Sequence, residues 1–425
     1  MEYGFPIEDF VRAAFDAAAM QGIRPMTSTP SAQPTAKSGS GMAGILFRVL
    51  CLVALLALGA SYFQPAWWVS LKAPNYPEHA FPDGVKIHFH VDRVANGCQM
   101  RESKEVLEKE ALDCVHEMDT INHFVGMYPI ASGGPVEKLL SPFLFSMIGV
   151  CIVGFAVPGV LARTTVMGLG FAGVAVWMSM ALYAPNGVQY LGKGWVTGLV
   201  DSLGRSEDET KDQEMHPIVK QLRESLAKSG IMVGNEGPKV AAAATKAQLI
   251  DVLKAVYEIK APVSLTDPTV GKWTGRGIDV MAWHYEESLG RWFNEPVKNQ
   301  RLVAIMKTAT HIVFGGVLAA MALLLWIGTR PRSALFVALA AVPMILPLGF
   351  IAEYSAWLWW YGHSLNAMGA FTLKPFMPTV FGDGKVAQFS THSYPAMGFG
   401  LMCVVGVSMA VAALMRRSLP DEAKT

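Results

Sequence analysis

Three short stretches carry the side chains of this chain best suited to chemistry: His88-Phe89-His90, the run from His116 to Asp119, and Asn122-His123-Phe124-Val125-Gly126-Met127. Imidazole nitrogen and thioether sulfur are donors for soft or borderline metals, copper above all, and Cu(I) is satisfied by two or three of them. His88, His90, His116, His123 and Met127 are therefore the candidate ligands of a copper site, with Met118 in reserve. The alternative is that these histidines are exposed polar residues and that Met127 packs at a membrane interface. A second constellation places Lys307 and His311 one helical turn apart, with Glu353 and His363 on a later segment. Ionisable groups inside a bilayer are costly and mark a partner, an ion path or a ligand. Lys307 with Glu353 reads as a structural ion pair; His311, Glu353 and His363 read alternatively as an inner metal or proton site.

The elements that must position these residues follow from composition. The chain has 425 residues, 52% hydrophobic and 16% charged, with a net charge of +1 that points to no nucleic-acid partner. Mean hydropathy is +0.32. Apolar blocks long enough to cross a bilayer, about 20 residues each, fall at 43–63, 140–162, 165–185, 303–328, 334–360 and 395–415. The expected fold is an all-α polytopic membrane protein with six transmembrane helices, a small α+β outer segment at 64–139 and a mainly helical outer insertion at 186–302. Pro343 and Pro347 are expected to kink the fifth span. Arg48, Arg163, Arg330, Arg332, Arg416 and Arg417 all fall on one side of a six-span scheme, and short basic loops stay in the cytoplasm. Both termini are thus expected inside a bacterial inner membrane, with 64–139, 186–302 and 361–394 facing the periplasm. Residues 1–42 read as a disordered cytoplasmic tail, with Met26 and Met42 as alternative starts, and the first span as an uncleaved anchor.

Local patterns refine this scheme. Val85 to Val91 alternates as a strand, which puts His88 and His90 on one face. Residues 103–112 read as a charged helix. From 114 to 127 a helical period gathers His116, Asp119, His123 and Met127, while Gly126 and Pro129 limit the helix. Asn122 and Gly126 read as structural, the glycine supplying a positive φ. Cys98 and Cys114 share the first outer segment, where a disulfide is favoured over free thiols; Cys51, Cys151 and Cys403 lie in spans. Helical periodicity recurs at 216–229 and 245–258, around a Gly/Ala-rich stretch at 234–244. Asp279 to Phe293 is amphipathic and fits either a helix lying on the membrane or one docked on its own domain. Phe381 to Lys385 reads as a turn-rich loop. No Walker loop, Gly-x-Ser-x-Gly or Cys-x-x-Cys-His motif is present.

Four motifs together resemble a family of polytopic bacterial membrane proteins encoded beside copper and nitrous-oxide-reductase maturation genes. They are Pro74-Asn75-Tyr76-Pro77, Asn122 to Met127, Trp360-Tyr361-Gly362-His363, and Gly382 to Lys385 followed by Phe389 to Pro395. The resemblance covers roughly 64–139 and 355–400, and segment 186–302 departs from the compact family pattern. It implies a copper-associated setting and names no ligands. The expected function is an inner-membrane protein, more a carrier than an enzyme, that binds or passes copper on the periplasmic side during cuproenzyme maturation. Its partners would be the lipid bilayer and a periplasmic cuproenzyme or copper chaperone. Two alternatives stand beside it: a non-catalytic subunit or assembly factor of a respiratory membrane complex, and a transporter whose path uses Lys307 and Glu353.

Overall fold

The computed structural model describes residues 38–78, 81–98, 113–204, 244–260, 272–370, 373–386 and 388–418. The chain divides into two units, 1–42 and 43–425, and the second carries the helical bundle and the sheet. The tail 1–37, the expected helices at 103–112 and 216–229 and the Gly/Ala-rich stretch up to residue 243 lie outside the described residues.

The architecture is mainly helical. In chain order the helices are α1 (Ser38–Phe63), α2 (Cys114–Val125), α3 (Pro135–Ala156), α4 (Val160–Tyr183), α5 (Lys193–Gly204) and α6 (Lys246–Lys260). Then come α7 (Gly277–Trp292), α8 (Pro296–Gly328), α9 (Ala338–Met344), α10 (Leu346–His363) and α11 (Met397–Ser418). Among the described residues α1, α3, α4, α8 and α11 are long and apolar enough to cross a membrane. α9, with the 3-10 turn before it, and α10 make a sixth candidate, bent by 56°. The break at Ile345 lies between Pro343 and Pro347, where each proline removes an amide donor and crowds the preceding turn.

Several boundaries differ from the hydropathy pattern, two of them most. The second span ends at Ala156 rather than 162, because Val157-Pro158-Gly159 turns the chain, with Gly159 at φ +78°. The carbonyls orphaned at that corner are satisfied from elsewhere. Arg163, fully buried, donates to Gly154 and Val157, and Arg416 donates to Phe155 at 2.8 Å. Both guanidinium groups also sit over the Phe336 ring, at 4.7 and 4.4 Å. α8 begins at Pro296, seven residues before the apolar block, and projects past it.

At the other end of the bundle sits a cap built on an antiparallel sheet, which agrees with the small α+β segment expected after the first span and also recruits strands from the third expected outer segment. Strands β1 (Trp67–Lys72), β2 (Val85–Phe89), β3 (Val94–Asn96), β4 (Gly382–Val386) and β5 (Phe389–Pro395) are arranged in the order β3-β2-β1-β5-β4. Residues 382–386, expected as a loop, form a strand because β5 offers them a partner: Asp383 lies opposite His392 and Lys385 opposite Ser390. β5 in turn pairs with β1, Tyr394 opposite Trp68. A strand of glycine and charge has no propensity of its own, so its partner decides.

One face of this sheet is apolar. Trp67, Val69, Val85 and Ile87 pack with Tyr128, Leu289, Phe293, Tyr354 and Tyr361 in a core separate from that of the bundle. Helix α7 serves both cores, Met281 toward the bundle and Tyr285 toward the cap. It is a docked helix.

Candidate metal site and the buried charges of the bundle

Helix α2 is specified at both ends. Asp113 caps it by accepting from the amides of Val115 and His116. Gly126, at φ +84°, ends it, its amide donating to the His123 carbonyl and that of Met127 to the Asn122 carbonyl. Met127 therefore lies beyond the helix, and its side chain, like that of Met118, is buried in the cap core. His116 and His123 share a face. Seven residues at 1.5 Å each set their backbones about 10 Å apart along the axis. Both flank Trp292 of α7, with ring centroids at 5.5 and 5.7 Å, and His123 also meets Phe293 at 5.1 Å. Burial holds the His123 imidazole below its ordinary pKa. Asp119 is turned to structure: its Oδ1 accepts from Ile130 at 2.7 Å and Ala131 at 3.4 Å.

His88 and His90 lie together. His88 stands opposite Trp68 on one side and Ala95 on the other, while Lys86 reaches over the Trp68 ring at 4.6 Å. His90 follows the strand in a turn closed by its amide and the Arg93 carbonyl. Burial, then Arg93 and then His88 push His90 down to about 3, and burial with Lys86 also lowers His88. Both imidazoles are neutral at pH 7, the form that binds metal. His90 Nδ1 is buried and has no hydrogen-bond partner in the protein. Among the described residues no three His, Cys, Asp or Glu side chains are grouped to hold an ion. The five expected donors thus do not form one coordination sphere. They divide into a His88/His90 pair, an aromatic-packed His116/His123 pair, and Met127 in the core.

The motif residues converge for packing. Tyr76 donates to Glu117 at 2.9 Å. Tyr128 stacks on Trp360 at 5.4 Å. Ser393, fully buried, accepts from the Trp67 indole and donates to Val380. The turn at Gly126 docks on the loop after α10: Asn366 N–H donates to Gly126, and Ala370 N–H donates to Phe124. Cys98 and Cys114 are joined in a disulfide that ties the end of β3 to the start of α2.

The second constellation is also rearranged. Lys307 pairs with Asp279 of α7 at 2.8 Å, so the expected Lys307–Glu353 pair is not formed. His311 shares a hydrogen bond with Tyr183 at 2.9 Å and stacks on its ring. His363 meets the Trp359 carbonyl at 2.8 Å and stacks on its indole. Each histidine is occupied by its own aromatic neighbour. Glu353 instead faces Glu137 and Lys138 of α3, which sequence reasoning passed over; their signal was an adjacent acid and base opening an apolar run. His284 was missed as well. Its Nε2 lies 2.6 Å from Ser202 Oγ and 3.1 Å from the Leu199 carbonyl. Burial first, then Lys138 and Arg291, push it down to about 3. His284, Asp92, Arg93, Lys138 and Ser202 border a cavity of about 30 Å³, room for a water or two.

No family model, curated protein or solved structure matches this chain.

Proposed function

We propose that this chain is a multi-pass protein of the bacterial inner membrane, its cap on the periplasmic side, that binds and passes copper through His88 and His90. The observation that carries the reading is that His88 and His90 stand two residues apart at the end of β2 and interact, with His90 Nδ1 buried and unpartnered; Nδ1 of His116 and of His123 is buried and unpartnered too, but those rings pack against Trp292. A buried imidazole nitrogen without a partner is costly, and a soft cation is a fitting occupant. Two nitrogens suffice for Cu(I) and leave a position for a donor from the delivering or receiving protein. A carrier must release its ion, and an incomplete sphere serves that. The resemblance of the four motifs to proteins of copper-maturation gene neighbourhoods supports the same reading.

The test is Cu(I) titration of the purified protein against a chromophoric chelator. We expect about one equivalent bound. His88→Ala with His90→Ala should weaken binding at least tenfold, on the order of 1.4 kcal/mol, while His116→Ala with His123→Ala leaves it unchanged. An unaltered affinity in the first double variant removes the reading. A second reading, an assembly factor for a membrane complex, is favoured by the Trp68–Tyr394 aromatic pair on the sheet face turned away from the cap core. Stable capture of a partner by copper-free protein, lost in Trp68→Ala, would support it.

A further inference from the structure

The cap end of α3 and the middle of α10 meet at one point. A Cβ added to Gly134 would lie 3.6 Å from Glu137 Oε2, 3.8 Å from Glu353 Oε1 and 3.7 Å from Trp357 Nε1. Two carboxyl groups and an indole N–H therefore border the same spot. Glu137 Oε2 is buried there with no hydrogen-bond partner. Lys138 stands beside them, its Nζ donating to the Ala131 carbonyl at 2.7 Å, and it acts electrostatically on both glutamates. The other ionisable groups facing the cluster are Asp119 from α2, His284 and Tyr285 from α7 and Tyr361 from α10; Asp92, between β2 and β3, reaches Lys138. Asp92 has Arg93 at 2.9 Å. Asp119 accepts from the amides of Ile130 and Ala131, which carry no charge, and it also bears on Lys138, so one ammonium faces three carboxyl groups.

A charge without a counterion is expensive in a medium of low dielectric, and two carboxyl groups sharing a site do not both ionise readily. One carboxylate against one ammonium is neutral; a second carboxylate is not. We propose that Glu137 and Glu353 share a single proton and, with Lys138, form a proton-binding site at the cap end of the bundle. The ligand class is a proton rather than a metal ion, since the ammonium repels a cation entering between the carboxyl groups. Loading moves one proton from water onto the pair, and unloading returns it, with no other bond changed. The proposal rests on reading α3 and α10 as membrane spans and is independent of the copper assignment.

The test is infrared difference spectroscopy of the full chain in lipid nanodiscs, titrated from acid to alkaline pH in H2O and D2O. At neutral pH we expect the carbonyl stretch of a protonated carboxyl, downshifted in D2O and by 13C-carboxyl glutamate. It should vanish in Glu137→Gln and in Glu353→Gln alike, because either variant leaves one glutamate facing Lys138. Absence of the band from the wild-type chain at neutral pH overturns the proposal. So does its survival in Glu137→Gln, which would place the proton on Glu353 alone. Should either variant fail to fold, the labelled wild-type spectrum decides, since an unshifted band is not a glutamic acid.

Discussion

Replacing Gly126 by alanine tests how the Asn122–Met127 motif works. Gly126 holds φ +84°, and a Cβ there would stand 2.6 Å from the Asn366 carbonyl oxygen. The left-handed conformation costs a non-glycine residue about 1–2 kcal/mol. Relieving the clash by moving the 364–370 loop breaks the hydrogen bond from the Asn366 amide to the Gly126 carbonyl, about 1 kcal/mol more. The expected loss is therefore roughly 2–3 kcal/mol, near the upper end for a single substitution. Chemical unfolding in mixed micelles measures it, with Gly290→Ala as the internal control. Gly290 lies in α7 with nothing within 4 Å of an added Cβ, so its replacement should stabilise by about 0.5–1 kcal/mol. If Gly126→Ala falls within about 0.5 kcal/mol of the wild type, the motif does not act through this turn, and its residues must serve something other than the dock on the loop after α10.

The remaining expectations are simpler. Cys98→Ser with Cys114→Ser opens a loop of sequence separation 16 and should cost about 3 kcal/mol; reductant should destabilise the wild type by a similar amount and the double variant not at all. His284 is held neutral, its pKa pushed from 6.5 to about 3. The unfolded chain then binds the extra proton below pH 6.5 and the folded one does not. Stability from this residue is complete above 6.5 and declines as the pH falls toward 3, by roughly 2 kcal/mol at pH 5. Unfolding measured across that range should show a shallower acid limb in His284→Gln, and an unchanged limb would refute the assignment.

Much of the cap was hidden from sequence reasoning for a definite reason. The strand carrying His88 was legible because a period of two is local, but it ends at Phe89 rather than Val91, so His90 lies in the turn that follows. The turn at Gly126 was legible too, since glycine after a helical run ends it. Trp292 between His116 and His123 was not, because nothing in α2 encodes the approach of α7. Likewise Lys307 finds Asp279, and Glu353 finds Glu137 and Lys138, through helix packing that no residue spacing reports.

Hydropathy alone determined the number and approximate place of the candidate spans, because the length of an apolar run is written directly in the chain. The sequence likewise determined the kinked α9–α10 pair through its prolines, and the residue types available for copper. Tertiary structure decided the rest: that β5 completes a sheet begun more than three hundred residues earlier, that two imidazoles rather than five donors stand together, and that an acid and a base at the start of α3 meet a glutamate of α10. These are meetings between distant segments. A pairing of that kind is stabilised by both partners at once, so neither segment carries its signature alone.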